Sequence, residues 1–176
     1  EDGSIENPKP KDLYSYGTLA QVLKVFDMPD NSKSAIVQGI SRVKILNYTQ
    51  SDPYFTAAVQ SMEDEPIVDK IEVEALSNNL RQAFEDLMKV APNLTEEHSG
   101  MLKNIQKPNR LTDRAISVIT ISNQEKQEIL EELNIKERME KALNLMGRES
   151  WRRLAGWKSV SGDGGWLQPV VAAGGG

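Results

Sequence analysis

The chain has no cysteine among its 176 residues and only one histidine. Disulfides and cysteine-based zinc sites are therefore excluded, and a reducing cytoplasm is the compartment that fits. No run approaches the roughly 18 apolar residues of a membrane-spanning helix, and no signal peptide is visible. Aromatic residues make up 6% of the chain, and all three tryptophans (Trp151, Trp157, Trp166) fall in its last 26 residues. The net charge of −5 lacks the basic excess of a nucleic-acid binder. No Gly-x-x-x-x-Gly-Lys-Ser/Thr loop is present to hold nucleotide phosphates, and no nucleophile–base arrangement stands out. The sequence thus predicts no catalytic residues, no metal and no cofactor for this chain.

What is present changes character along the chain. Tyr16 to Phe26 and Ala35 to Leu46 are rich in strand-forming residues, and the second alternates in part, with Val37, Val43 and Ile45 opposite Gln38, Arg42 and Lys44. Met28 to Ser34, with Pro29, Asp30 and Asn31, reads as the turn of an antiparallel hairpin. Tyr54 to Met62 gives a third strand after the Ser51-Asp52-Pro53 break. Beyond the acidic run Glu63-Asp64-Glu65, read as a solvated linker, helical spacing takes over. Asp69 to Val90 places Ile71, Leu76, Leu80, Phe84 and Leu87 near one face. Leu94 to Ile105, with Asn93 as its expected cap, and Arg110 to Ile119 follow. Asn123 to Gly147 reads as the last helix. It opens with the capping box Ser122-x-x-Glu125 and carries a second start at Asn134-x-x-Glu137. Glu132 and Lys136, and Glu137 and Lys141, have the spacing of stabilising helical pairs. Short connections imply neighbouring helices that pack together.

Four segments, in order, resemble the N-terminal substrate-handling domain of Lon proteases, the ATP-dependent serine proteases of bacteria and organelles. The first is Tyr14-Ser15-Tyr16-Gly17-Thr18-Leu19-Ala20-Gln21-Val22. The second is Met28-Pro29-Asp30 followed by Val37-Gln38-Gly39-Ile40-Ser41-Arg42-Val43. The third, Pro108 to Asp113, is similar to a D-P-x-x-L-A-D helix entry, with Lys107 for the usual Asp and Thr112 for the usual Ala. The fourth is KQEILEELNIKERMEKALNLM, within Gln124 to Glu149. The resemblance implies an α+β fold: a PUA-like antiparallel β-pseudobarrel, then a small helical bundle. It divides the chain into a polar lead-in (1–12), a partial barrel (13–65), a bundle (66–149) and a tail (150–176).

The family's domain usually opens with an apolar strand, whereas this chain opens with the polar EDGSIENPKPKD, so the resemblance implies a fragment of a longer protease. The implied function is non-catalytic recognition of unfolded or degron-bearing protein substrates, with support for a hexamer. ATP and magnesium would belong to the parent protein. Cytoplasmic location is implied, with no membrane and no specific nucleic acid as partner. A stand-alone binding module of the same fold, unattached to any ATPase, is the alternative. An RNA-binding role, suggested by the barrel alone, is opposed by the acidic charge.

Apolar residues not committed by periodicity mark a candidate substrate surface: Phe26, Met28 and Pro29 at the hairpin turn, and Tyr54 and Phe55 after Pro53. Their alternative is to plug the barrel's end. Arg42 reads as a ligand for a carbonyl or carboxylate within the barrel. His98, on a face with Leu94, Met101 and Leu102, reads as a core or boundary residue. Gly156, Gly162, Gly164, Gly165 and Pro169 oppose any helix beyond residue 150. That segment carries a net charge of +2 and seven of the 12 glycines, and reads as a non-native or disordered tail rather than a genuine Trp-rich extension.

Overall fold

A computed structural model describes residues 8–161, with side chains described as far as Gly156. After a single 3-10 turn at Pro10–Asp12, three strands follow: β1 (Tyr16–Asp27), β2 (Lys33–Gln50) and β3 (Thr56–Met62). They form one antiparallel sheet in the order β1-β2-β3. Five helices complete the described chain: α1 (Lys70–Met88), α2 (Glu96–Asn104), α3 (Pro108–Val118), α4 (Asn123–Glu131) and α5 (Ile135–Ser161). The protein is therefore α+β, with a three-stranded antiparallel sheet followed by helices.

The hairpin turn closes on itself. The Met28 amide donates to the Ser32 carbonyl at 2.9 Å, and Ser32 donates its amide and hydroxyl to Asp30 Oδ1 at 3.0 and 2.6 Å. These Ser32 bonds hold the Asp30 carboxyl below its ordinary pKa. Asn31 takes the left-handed conformation (φ 64°) that asparagine tolerates better than most residues. Two register irregularities bend the hairpin, one leaving Ile40 extra on β2 and one leaving Leu23 extra on β1.

The core lies among the helices. Leu80, Phe84 and Leu87 of α1 pack with Leu102 of α2, Leu111, Ala115 and Ile116 of α3, Ile129 of α4, and Ala142 and Met146 of α5. Val73 and Met139 meet Ile135 in a second small cluster. Ile71, expected on the buried face of α1, is 83% exposed, and Val73 and Ser77 occupy that face instead. Thr112, where the family pattern has Ala, is fully buried, and its hydroxyl is satisfied by the Pro108 carbonyl at 2.9 Å.

Helix boundaries show where side-chain caps prevail. The stretch read as one helix from Asn123 breaks at residues 132–134. Its second start is real, because Asn134 Oδ1 accepts the Glu137 amide at 3.2 Å. Glu132 therefore lies in the break and bonds Lys141, while Lys136 bonds Glu72 of α1, so the two expected pairs are replaced. The cap of α2 is Thr95 rather than Asn93; the Thr95 amide donates to His98 Nδ1 at 3.1 Å. His98 is thus a half-buried capping partner. The helix expected to stop near residue 150 runs through Gly156 to Ser161. One helical glycine costs only about 1 kcal/mol, and Glu149 bonds Arg152 and Arg153, both at 2.7 Å, across the disputed turn. The rest of the expected tail, 162–176, lies outside the described residues, as does the lead-in before residue 8.

Candidate functional site

The hairpin β1–β2 is a ribbon with almost no interior. Val43 is its one buried apolar side chain among the described residues, while Leu19, Val22, Leu23, Val25, Ile36, Val37, Ile40 and Leu46 are all exposed. Successive strand residues face opposite sides, so both faces carry apolar groups. Isolated exposed apolar residues are ordinary on a protein surface, whereas here they run as a contiguous set along two paired strands.

The five residues singled out from sequence are all exposed but do not form one patch. Phe26 (38%), Met28 (43%) and Pro29 lie at the hairpin tip, with the Lys24 ammonium 4.9 Å from the Phe26 ring centre. Tyr54 (66%) and Phe55 (38%) lie in the β2–β3 loop, where Phe55 meets Tyr48 edge-on at 5.7 Å. These are opposite ends of β2, an 18-residue strand on the order of 50 Å long. Between these ends the apolar surface continues along the strands, at residues whose spacing predicts a strand but says nothing of what covers it.

Where the ribbon meets the helices, four charged side chains interlock. Arg42 of β2 donates from Nε to the Leu130 carbonyl at 3.0 Å and from Nη2 to Asp113 Oδ1 of α3 at 2.5 Å. Its Nη1 lies 3.5 Å from Asp64. Arg138 of α5, fully buried, donates to the Glu132 carbonyl at 2.7 Å and to Asp64, and its Nη1 lies 3.6 Å from Asp113. Asn109 adds a bond to Asp64 at 2.8 Å. Burial raises the pKa of Asp64, but the Arg138 and Asn109 hydrogen bonds and the charges of Arg138 and Arg42 outweigh it, so its carboxyl lies below the ordinary range. Arg42 thus does hold a carbonyl and carboxylates, but they belong to the helices and the linker, not to a barrel interior. The run 63–65 is likewise more than a solvated linker. Asp64 is half-buried, and Glu65 is held by the Leu133 carbonyl and the Asn134 amide. Asp64, Asp113 and Arg138 were missed from sequence. One sign was available: Arg138 shares a helical face with the apolar Ile135, Met139 and Ala142.

A cleft of about 850 Å³ opens at the same junction. Leu13, Ile40, Ile116, Ile129 and Leu130 give it apolar lining, and Arg42 and Asp113 line it as well. Its size is within the range of ligand pockets. Among the described residues no cluster of His, Cys, Asp and Glu could hold a metal ion, and no helix is long and apolar enough to cross a membrane.

The profile of the ATP-dependent protease La (LON) substrate-binding domain matches residues 1–148. Over 144 residues the chain is 35% identical to the Lon protease of Anaeromyxobacter dehalogenans (strain 2CP-C), covering 82% of this chain and 17% of that protein. It is 39% identical over 132 residues to the Lon protease of Lawsonia intracellularis (strain PHE/MN1-00), covering 74% of this chain and 16% of the relative. The chain therefore spans only about a sixth of the length of these curated relatives. In fold it is similar to the N-terminal domain of the Mycobacterium avium complex Lon protease, with a TM-score of 0.65 at 22% identity over 80% of this chain and 74% of that one. With the profile covering all but its C-terminal residues, the chain belongs to the Lon substrate-binding domain family.

Proposed function

We propose that this chain is the substrate-recognition part of an ATP-dependent Lon-type protease, binding unfolded or degron-bearing polypeptides and handing them to catalytic parts outside it. The observation that carries this reading is the exposed apolar ribbon. Unfolded chains differ from folded surfaces chiefly in their accessible apolar side chains, and a ribbon with apolar groups on both faces can meet them without a fixed sequence. Met28, flexible and polarisable at the tip, suits promiscuous contact. In this reading the chain is not itself catalytic, ATP and magnesium are bound elsewhere in the parent, the parent is a cytoplasmic hexamer, and the helical bundle helps to space its subunits.

The test uses the parent protease. Met28→Ser, Tyr54→Ser and Val37→Ser should each raise KM for an unfolded protein substrate. Cleavage of a short peptide and the melting temperature should stay near those of the parent, because surface changes of this kind alter stability by less than about 1 kcal/mol. An unchanged KM for all three would refute the ribbon as the recognition surface.

A further inference from the structure

We propose that the outer face of α3, formed by Lys107, Arg110 and Arg114, docks an extended polypeptide segment that carries glutamate or aspartate at alternate positions. This surface lies apart from the apolar ribbon, and the proposal goes beyond the receptor reading without depending on it.

Helical geometry defines the face. Residues 107, 110 and 114 are spaced three and four apart, so they share one side of the helix, and all three are exposed. Leu111, Thr112 and Ala115 of the same helix are buried, and Asp113 and Ser117 line the cleft toward the ribbon. The cationic row lies outside both. The backbone beneath it is held on three sides. Arg81 of α1 donates to the Ile105 carbonyl at 2.8 Å, the Asn109 side chain donates to Asp64 at 2.8 Å, and the Thr112 hydroxyl donates to the Pro108 carbonyl at 2.9 Å.

The row has no counter-charge. The chain has 26 acidic residues to 21 basic ones, yet among the described residues the Lys107 and Arg110 side chains make no bond, and Arg114 meets only the uncharged Met101 thioether at 3.5 Å. Arg42, Arg138, Arg148, Arg152 and Arg153 all have carboxylate partners. The acids around the α2–α3 connection are already engaged: Glu85 by Lys103 at 2.9 Å, Asp113 by Arg42 at 2.5 Å, and Asp64 by Arg138. Arg110 and Arg114 repel each other at helical spacing. Lys107 stands at the positive end of α3, whose first turn has no acidic residue. The folded chain alone leaves this arrangement uncompensated, and a docked pair of carboxylates compensates it.

The spacing names the partner. Arg110 and Arg114 are about 6 Å apart along the helix axis, and alternate residues on one side of an extended chain are about 6.6 Å apart. Guanidinium forks accept carboxylates two bonds at a time. Nucleic acid fits less well. Residues 101–118 contain no aromatic side chain on which a base could stack, and the acidic remainder of the chain repels a long phosphate backbone.

The probe is a peptide of about nine residues alternating glutamate and threonine, titrated into the whole chain at low salt while the arginine Nε–H resonances are followed by NMR. Arg110 and Arg114 should shift along the binding curve, and Arg148 and Arg153 should not. Arg110→Glu with Arg114→Glu should weaken the peptide at least tenfold. Lys24→Glu with Lys70→Glu, the same charge change at exposed sites elsewhere, should weaken it less than threefold. A peptide with glutamine in place of glutamate should bind at least tenfold more weakly. Equal losses from the two double variants, no binding, or binding that leaves both arginines unmoved each overturns the proposal. A single-stranded oligonucleotide of equal charge that binds this face more tightly overturns it too, and makes the face a phosphate surface. Shifts of Arg110 and Arg114 with protein concentration alone give the face to a second copy and overturn it likewise. None of these outcomes touches the receptor reading, which is tested at Met28, Tyr54 and Val37.

Discussion

The helices and the ribbon solve opposite problems with their hydrophobic residues. The helices hide theirs: Leu80, Phe84, Leu111, Met139 and Met146 are fully buried. The ribbon displays its own, and it is held at its root by directed polar contacts rather than by a core. Arg42 grips the helices, Gln127 grips Tyr16, and Glu65 and Asp64 strap the linker to α5 and the α4–α5 break. Burial and, in the function proposed above, recognition therefore fall to different residues. A surface that must stay available to unfolded chains cannot also supply the burial that keeps a domain folded.

The sharpest way to break this contrast is to cut into each region and compare. Phe84→Ala should cost about 3–5 kcal/mol in denaturant unfolding, the usual effect of emptying a buried aromatic site. Val22→Ser on the ribbon should cost less than about 1 kcal/mol. Comparable losses at both sites would mean that the ribbon contributes to a common core.

Arg138→Ala tests the junction between the two. It leaves Asp64 half-buried without its main cation, and removing one partner of a buried pair costs about 3 kcal/mol or more. Amide exchange should rise over β2 and the linker before it rises in α1. Uniform change across the molecule would show that Arg138 is simply part of the bundle.

Acid provides a graded version of the same test. The folded pKa of Asp64 lies below its ordinary value of 3.8, so the unfolded chain binds the proton first as pH falls. The stabilisation is complete well above pH 3.8 and is lost as pH drops through the lower, folded value. Relative to Asp64→Asn, the parent's advantage should shrink steadily below about pH 5, where the linkage begins to act. A constant difference between pH 6 and pH 3 would mean that this carboxylate is not held ionised by its arginines.

The smallest expected effect is at the tips. Met28→Ser and Tyr54→Ser should leave melting almost unmoved (less than about 1 kcal/mol), because both side chains are largely in solvent. A sharp drop would mean that they plug an apolar end after all.

Local features of this architecture could be read from sequence, and long-range ones could not. The hairpin was legible because Asp30 and Asn31 form a turn from their own side chains. The start of α5 was legible because Asn134 caps the amide three residues on. The continuation of α5 past residue 150 was misjudged because the glycine penalty was weighed without the Glu149–Arg153 pairing that offsets it. The ribbon's exposure was not legible, because strand periodicity is the same whether or not anything covers the strands. The charged junction lay out of reach for a different reason: its main ion pairs join residues distant in sequence, 71 positions apart for Arg42 and Asp113 and 74 for Asp64 and Arg138.

That last separation sets an order of events during synthesis. The ribosome releases the β-ribbon first, yet the partner that secures Asp64 is Arg138, 74 residues later. At the usual 5–20 residues per second this is a wait of roughly 4 to 15 seconds. Throughout it, a pair of apolar strands is tethered to the translating ribosome with nothing to seat against. Nascent chains arrested before Arg138 should accordingly be cut by added protease in the linker around Asp64, and release past that residue should slow the cut.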